Sequence, residues 1–328
     1  MALDFSGQTL VNENFSGLDL TGANFSGATL IDSSLSGKNL QGANLEGVTF
    51  DNVNASGADF RLTNFTDGTI GDTNFNNANL SGLSITDTTF SNTTFRNANL
   101  SSLDTEDVNL ANTEFNGATL TNAKLADSIL TGANFNRANA EGIFLEAAEL
   151  TGAKFRGTDL SGAFLGRVNL TNADFRAPNN APQLTAQLDG AFLDGANLTN
   201  AKLQEADLTG ASAEKTDVTG ADFTGATLVN ANLKETNADS AIFTDADLQN
   251  AVLEKAILSN AIFIDGNDAD TLGADLSGIA FIDGIANSAD FTNALFVNSD
   301  LTKADFTNAI TTGADFTGAN TTDTIGLS

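Results

Sequence analysis

Written in fives, residues 130–175 read LTGAN FNRAN AEGIF LEAAE LTGAK FRGTD LSGAF LGRVN LTNAD F. Leu or Phe opens nearly every group: Leu130, Phe135, Leu145, Leu150, Phe155, Leu160, Leu165, Leu170 and Phe175, with Ala140 the exception. Two residues before most of these positions stands an alanine: Ala133, Ala138, Ala148, Ala153, Ala163 and Ala173. Asn or Asp often lies between, as in Ala133-Asn134-Phe135 and Ala173-Asp174-Phe175. Helices repeat every 3.6 residues and strands every two, so a beat of five is neither. It marks a repeat architecture, in which each unit buries its apolar face only against its neighbours.

The beat extends far beyond this stretch. From Phe5 to Phe175 every fifth residue is Leu, Phe or Ile except Ala55, Thr105 and Ala140. The earliest units are looser, with Gln8, Glu13 and Lys38 where alanine later dominates. Both prolines fall in Ala177-Pro178-Asn179-Asn180-Ala181-Pro182-Gln183, which holds no repeat centre. The beat resumes at Leu188 and Leu193 and runs to Phe263. It slips again at Gly266-Asn267-Asp268, and a third block carries Leu276, Phe281, Phe291, Phe296, Leu301, Phe306 and Phe316. Residues 321–328 lose the pattern and read as a tail.

A longer period of 20 lies over the beat. Glu214-Lys215, Lys234-Glu235 and Glu254-Lys255 recur at that interval with the sign reversed each time. Stacked about 4.8 Å apart, each carboxylate would face an ammonium on the next coil. Phe15, Phe75, Phe95, Phe115, Phe135, Phe155 and Phe175 form one column, broken only by Leu35 and Ala55; Phe223, Phe243 and Phe263 form another. The two align if eight residues loop out between Phe175 and Leu188, and the same offset aligns Phe144 and Phe164 with Phe192. The expectation is one continuous solenoid over residues 3–320, with bulges at about 178–185 and 266–268, the second of three residues.

The repeated A-[DN]-[LF], as in Ala23-Asn24-Phe25, Ala43-Asn44-Leu45, Ala206-Asp207-Leu208 and Ala314-Asp315-Phe316, resembles the pentapeptide repeat family over nearly the whole chain. The resemblance implies an all-β fold, a right-handed quadrilateral β-helix with one pentapeptide per side and four per coil, here about 15–16 coils. It also implies that the central residue and the small residue two before it point inward and the other three outward. The physics agrees. Each buried Leu or Phe contributes roughly 1.5–3 kcal/mol, and each stacked ring pair ~0.5–1.5 kcal/mol more. Glycine at the last position, as in Gly152 and Gly162, tolerates the angles of a corner.

Composition narrows the function. There is no Cys, His, Trp or Tyr, which removes disulfides, thiolate and imidazole chemistry and ordinary zinc sites. No signal peptide or membrane span is evident, so a soluble, cytoplasmic protein without membrane contact is expected. The net charge is −28, which argues against direct contact with nucleic acid and allows a basic protein partner. Through Arg176 there are 20 acidic and nine basic residues, net −11; beyond it 22 and five, net −17. A rod of roughly 75–80 Å at strand spacing would carry one net charge per about 2.8 Å, against ≈ 1.7 Å for B-DNA. Some members of the family resemble DNA and protect DNA gyrase from inhibitors. That implies an alternative, a DNA mimic for gyrase or another DNA-binding protein, beside the reading of a solvated acidic surface. This chain departs from those members in its length and in lacking an obvious C-terminal dimerisation helix.

Four features stand out as candidates for contact. Phe144, Phe164 and Phe192 occupy the position normally held by Asn or Asp, so their rings should point outward, as a contact site or as a platform covered by the Pro178–Thr185 bulge. Arg137, Arg156 and Arg176, with Arg96 and Lys154, form a basic stripe that either meets an acidic partner or balances neighbouring carboxylates. Asp265-Gly266-Asn267-Asp268-Ala269-Asp270 faintly resembles a calcium loop, but Ala269 and Leu276 fill ligand positions, and a turn fits better. Carboxylates are spread over a convex surface with no cleft expected, so no catalytic, cofactor or metal site is assigned. The end units around Phe306 and Phe316 lack a cap, which suggests end-to-end homodimers. The sequence thus reads as a non-enzymatic acidic scaffold for an unidentified protein partner.

Overall fold

The computed structural model describes residues 2–105, 107–264 and 273–327, in two compact units, Met1–Lys154 and Phe155–Ser328. Among the described residues there is no helix. In the first unit five short strands form one parallel sheet in the order β1-β2-β3-β4-β5: β1 Thr9–Val11, β2 Thr29–Ile31, β3 Thr49–Asp51, β4 Thr69–Gly71 and β5 Thr89–Ser91. Leu10 pairs with Leu30, Leu30 with Phe50, Phe50 with Ile70 and Ile70 with Phe90. Each partner is 20 residues away. The other sides hold single parallel bridges with the same offset, such as Asn24↔Asn44, Ser34↔Asn54 and Asn39↔Asp59. One coil is therefore four pentapeptides, and the fold is an all-β solenoid.

Two kinds of side follow from the residue just before the centre. Where it is Asn or Asp, its Oδ1 accepts the backbone N–H two residues on: Asn24 from Ser26 at 3.1 Å, Asp222 from Thr224 at 3.0 Å. Thr224 donates its hydroxyl to the same oxygen at 2.6 Å. These Asx turns bend the chain immediately after the centre, and they explain why Asp and Asn interchange and why Thr so often follows. In the column of Thr9, Thr29, Thr49, Thr69 and Thr89 no such turn forms and the β-branched residue starts a three-residue strand, whereas Thr94, Thr119 and Thr227 in other columns make single bridges.

Centres and the small residues before them make the core. Leu130, Phe135, Leu145 and Leu150 of the first unit, and Phe155, Leu160, Leu165, Leu170 and Phe175 of the second, are all buried. Rings stack from coil to coil: Phe75–Phe95 at 5.1 Å, Phe95–Phe115 at 5.5 Å and Phe115–Phe135 at 4.9 Å. In the second unit Phe155–Phe175, Phe223–Phe243 and Phe243–Phe263 stack at 4.9, 4.9 and 4.7 Å. The charged pairs at period 20 form in part, with Lys215–Glu235 at 3.9 Å and Lys234–Glu254 at 3.1 Å.

Within the second unit the first bulge has the expected length. Asp159 pairs with Gln187, Phe164 with Phe192 and Asp174 with Lys202, an offset of 28, so eight residues are added to one coil. The second bulge was expected to add three residues at 266–268, which lie outside the described residues. On either side of them Asp247 pairs with Asp275 and Ile262 with Asp290, and Phe263 stacks on Phe291 at 4.8 Å. This offset is also 28, so that coil too gains eight residues. Three and eight differ by one pentapeptide, and counting centres in fives cannot separate them. Residues 321–327, read as a tail, also continue the ladder: Ile325 pairs with Asp305, and Phe306 N–H reaches Ile325 O at 2.8 Å. Threonine and glycine at the centres hide the beat there while the backbone keeps it.

Candidate interaction surface

In the second unit Phe164 and Phe192 point outward as the sequence suggests. Their backbones bridge, and their rings lie 5.1 Å apart and 11° from parallel. Phe164 is half-buried, while Phe192 is 47% exposed. Phe144 belongs to the first unit, where it bridges to Lys124 and is half-buried. The bulge folds onto a different place. Ala181 N–H bonds Pro178 O at 2.9 Å and Leu184 N–H bonds Ala181 O at 3.0 Å, closing two tight turns. These turns rest on the corner at Gly157. A Cβ there would lie 3.1 Å from Leu184 O and 3.3 Å from Pro178 Cδ, at φ +63°. Gly157 is thus the seat of the bulge, and the aromatic stack lies one side further along the chain.

The basic stripe divides in the same way. Arg156 and Arg176 both grip Asp174: Arg156 Nη2 at 2.6 Å and Nε at 2.9 Å from Oδ2, Arg176 Nε at 3.0 Å from Oδ1 and Nη2 at 2.9 Å from Oδ2. Burial opposes the charge on Asp174 and is outweighed by bonds from Arg176 and Arg156, which hold the carboxyl well below its usual range. This clamp fixes the root of the bulge, since Arg156 precedes Gly157 and Arg176 precedes Ala177. In the first unit Arg96 lies 4.0 Å from Glu114, and Arg137 turns a corner at φ 59°. Arg156 and Arg176 thus both pair with a neighbouring carboxylate.

Contrary to the expectation of a cleft-free surface, the first unit carries a recess of about 550 Å³. Ile85, Asp87, Thr105, Asp107 and Val108 are among the residues that line it. Thr105 is 3% exposed, and its Oγ1 has no hydrogen-bond partner. The sequence signal was available: the threonine column Thr9, Thr29, Thr49, Thr69, Thr89 ends at Asn109, beside this recess. It becomes visible only once the period of 20 is used to align positions outside the core. The Asp-rich segment with a faint calcium-loop likeness, residues 265–270, lies wholly outside the described residues.

No curated protein matches the chain. Among solved structures it is similar to HetL, a pentapeptide repeat protein involved in heterocyst differentiation regulation from the cyanobacterium Nostoc sp. strain PCC 7120. The identity is 26% over 78% of this chain and 90% of HetL, with a TM-score of 0.27. Full-length QnrB1, a plasmid-mediated fluoroquinolone resistance protein, is 23% identical over 58% of this chain and 90% of its own, with a TM-score of 0.33. Rfr23, a pentapeptide repeat protein from the cyanobacterium Cyanothece 51142, is 20% identical over 52% and 90%, with a TM-score of 0.21. The family model for pentapeptide repeats matches residues 3–37, 34–67, 72–104, 106–142, 148–177, 186–212, 201–237, 217–254, 241–267, 274–312 and 287–323. With repeats matched over most of its length and coils of four pentapeptides in both units, the chain belongs to the pentapeptide repeat family.

Proposed function

We propose that this protein is a non-enzymatic interaction scaffold that binds a protein partner through the outward aromatic stack of Phe164 and Phe192. The observation that carries this reading is the exchange of a turn-forming Asn or Asp for phenylalanine at two successive places in one column, leaving Phe192 47% exposed. An exposed aromatic ring costs solubility and returns nothing to the turn, whereas paired rings make good anchors at interfaces. The net charge of −28 favours a basic partner and speeds its approach. Phe164→Asn/Phe192→Asn should abolish recovery of that partner in pull-down while the melting temperature changes by only a few degrees. A large drop in melting temperature would make the stack a satellite core and overturn the reading.

A second reading has its own support in the charge of the C-terminal part, net −17 beyond Arg176. In this reading the acidic columns imitate DNA toward gyrase or another DNA-binding protein. Against it stands the use of Oδ1 by Asp207, Asp217, Asp222, Asp290, Asp300 and Asp305 in Asx turns, a task that Asn performs as well. A supercoiling assay separates the two. Inhibition of gyrase, or protection from a quinolone, at micromolar protein would favour the mimic; no effect would remove it.

A further inference from the structure

The outward aromatic column of the second unit ends in an open ring face. In the core, an inner phenylalanine of a ladder is covered on both faces: Phe243 has Phe223 at 4.9 Å and Phe263 at 4.7 Å. In the outward column Phe192 has Phe164 on one face, at 5.1 Å and 11°. The next residue of that column is Ser212, which bridges to Phe192. A serine side chain is too short to cover a ring, so the second face of Phe192 is uncovered among the described residues, and the residue is 47% exposed. The corners on either side hold Gly190 and Gly195, and a Cβ at Gly190 would meet nothing within 4 Å. The approach to the ring is therefore unobstructed from that side.

A carboxylate stands beside that face. Ser212 Oγ donates to Asp194 Oδ1 at 2.7 Å, and Glu214 N–H donates to the same oxygen at 2.8 Å. These bonds draw Asp194 from the Phe192 coil toward the Ser212 coil, and both use Oδ1, which leaves Oδ2 for a further donor. The chain's own cations at this corner are placed elsewhere. Lys215 Nζ lies 3.1 Å from Glu214 and 3.9 Å from Glu235. Arg167 belongs to the Phe164 coil, with its Cγ 3.6 Å from where a Cβ of Gly195 would stand. Asp194, Gly195, Glu214 and Lys215 line an open recess of about 370 Å³, room enough for a side chain to reach the carboxylate. A third ring would cover Phe192 and leave Asp194 unmet; an ammonium is a compact point charge that cannot stack. A guanidinium does both, lying flat on a ring and donating to a carboxylate. We infer that the partner presents an arginine, whose guanidinium covers the open face of Phe192 and donates to Asp194. This rests on the reading of the Phe164–Phe192 stack as a partner site and names the group that the site takes.

The test uses the full chain, its phenylalanine rings isotopically labelled, and a glycine-arginine-glycine tripeptide blocked at both ends, followed by NMR at about 0.15 M salt. The signal lost in Phe192→Leu belongs to the Phe192 ring, and it should shift to saturation as tripeptide is added. Citrulline in place of arginine keeps the plane and removes the charge, and should bind about fivefold more weakly. Asp194→Asn retains an Oδ1 for Ser212 and Glu214 and should weaken the arginine tripeptide about threefold. A matched control, Asp283→Asn, removes the same charge four coils away and should leave the affinity unchanged, since about 19 Å at strand spacing exceeds the ≈ 8 Å screening length. An unmoved Phe192 signal, equal affinity for citrulline, or equal weakening by the two Asp variants would each overturn the inference. Pull-down separates its failure from that of the reading beneath it. A partner lost by Phe164→Asn/Phe192→Asn and kept by Asp194→Asn would leave the aromatic site standing and overturn the arginine; a partner kept by both variants would overturn both.

Discussion

Gly22, Gly42 and Gly82 share one column of corners at φ 66–69°, and Leu62 interrupts it at φ 61° with 81% of its surface exposed. A left-handed backbone costs an ordinary residue roughly 1–2 kcal/mol, and an exposed leucine recovers none of that by burial. Asn accepts the same angle readily. Leu62→Asn should therefore raise stability by about 1 kcal/mol, read as a higher urea midpoint; an unchanged midpoint would show that the corner is not strained. The same attention to single positions explains the motif. Alanine fits because the axis has room for one large and one small side chain per side, and Asn or Asp because its oxygen makes the turn. These roles could be foreseen only in part, since the five-residue beat reveals which residues point inward but not what the outward ones bond.

At the scale of a side or a corner, charged clamps recur where the ladder needs them. Arg61 grips Asp59 with Nη2 at 2.7 Å from Oδ2, and Gln41 donates to the same carboxylate at 2.7 Å. The bond from Arg61 holds the Asp59 carboxyl at about 2, against the opposing effect of burial. Because the folded value lies below that of an unfolded carboxylate, this stability is complete above about pH 4 and lost as pH falls through about 2. Asp59→Asn should therefore lose less stability than the wild type between pH 5 and pH 2 in urea melts; parallel curves would contradict the clamp. Asp174 is depressed further, and its contribution persists into stronger acid. The eight-residue bulge between Phe175 and Leu188 was legible because two independent columns required the same length. The opening beside β5 was not, because Phe90 and Leu110 keep the beat while the residue before each changes from Thr89 to Asn109.

At the scale of the whole molecule, the family was readable from the sequence because dozens of repeat units agree on one pattern. Function was less readable for a physical reason: a column of Asp serves a turn, a solvated face and a charged interface equally well. Phe164 and Phe192 were legible as exceptions to the turn rule, and Arg156 and Arg176 as cations beside carboxylates, whereas their sharing of the single carboxylate Asp174, 18 residues from one and two from the other, was not. The aromatic and acidic readings diverge most directly in a side-by-side recovery of bound protein from cell extract. One bait is Phe164→Asn/Phe192→Asn; the other is Asp207→Asn/Asp217→Asn/Asp222→Asn/Asp247→Asn, which removes four charges while keeping the Asx bonds. The account predicts that the first bait loses the partner and the second retains it, both melting within a few degrees of the wild type. Retention by the aromatic variant with loss by the four-Asn variant would contradict it and make charge the element of recognition.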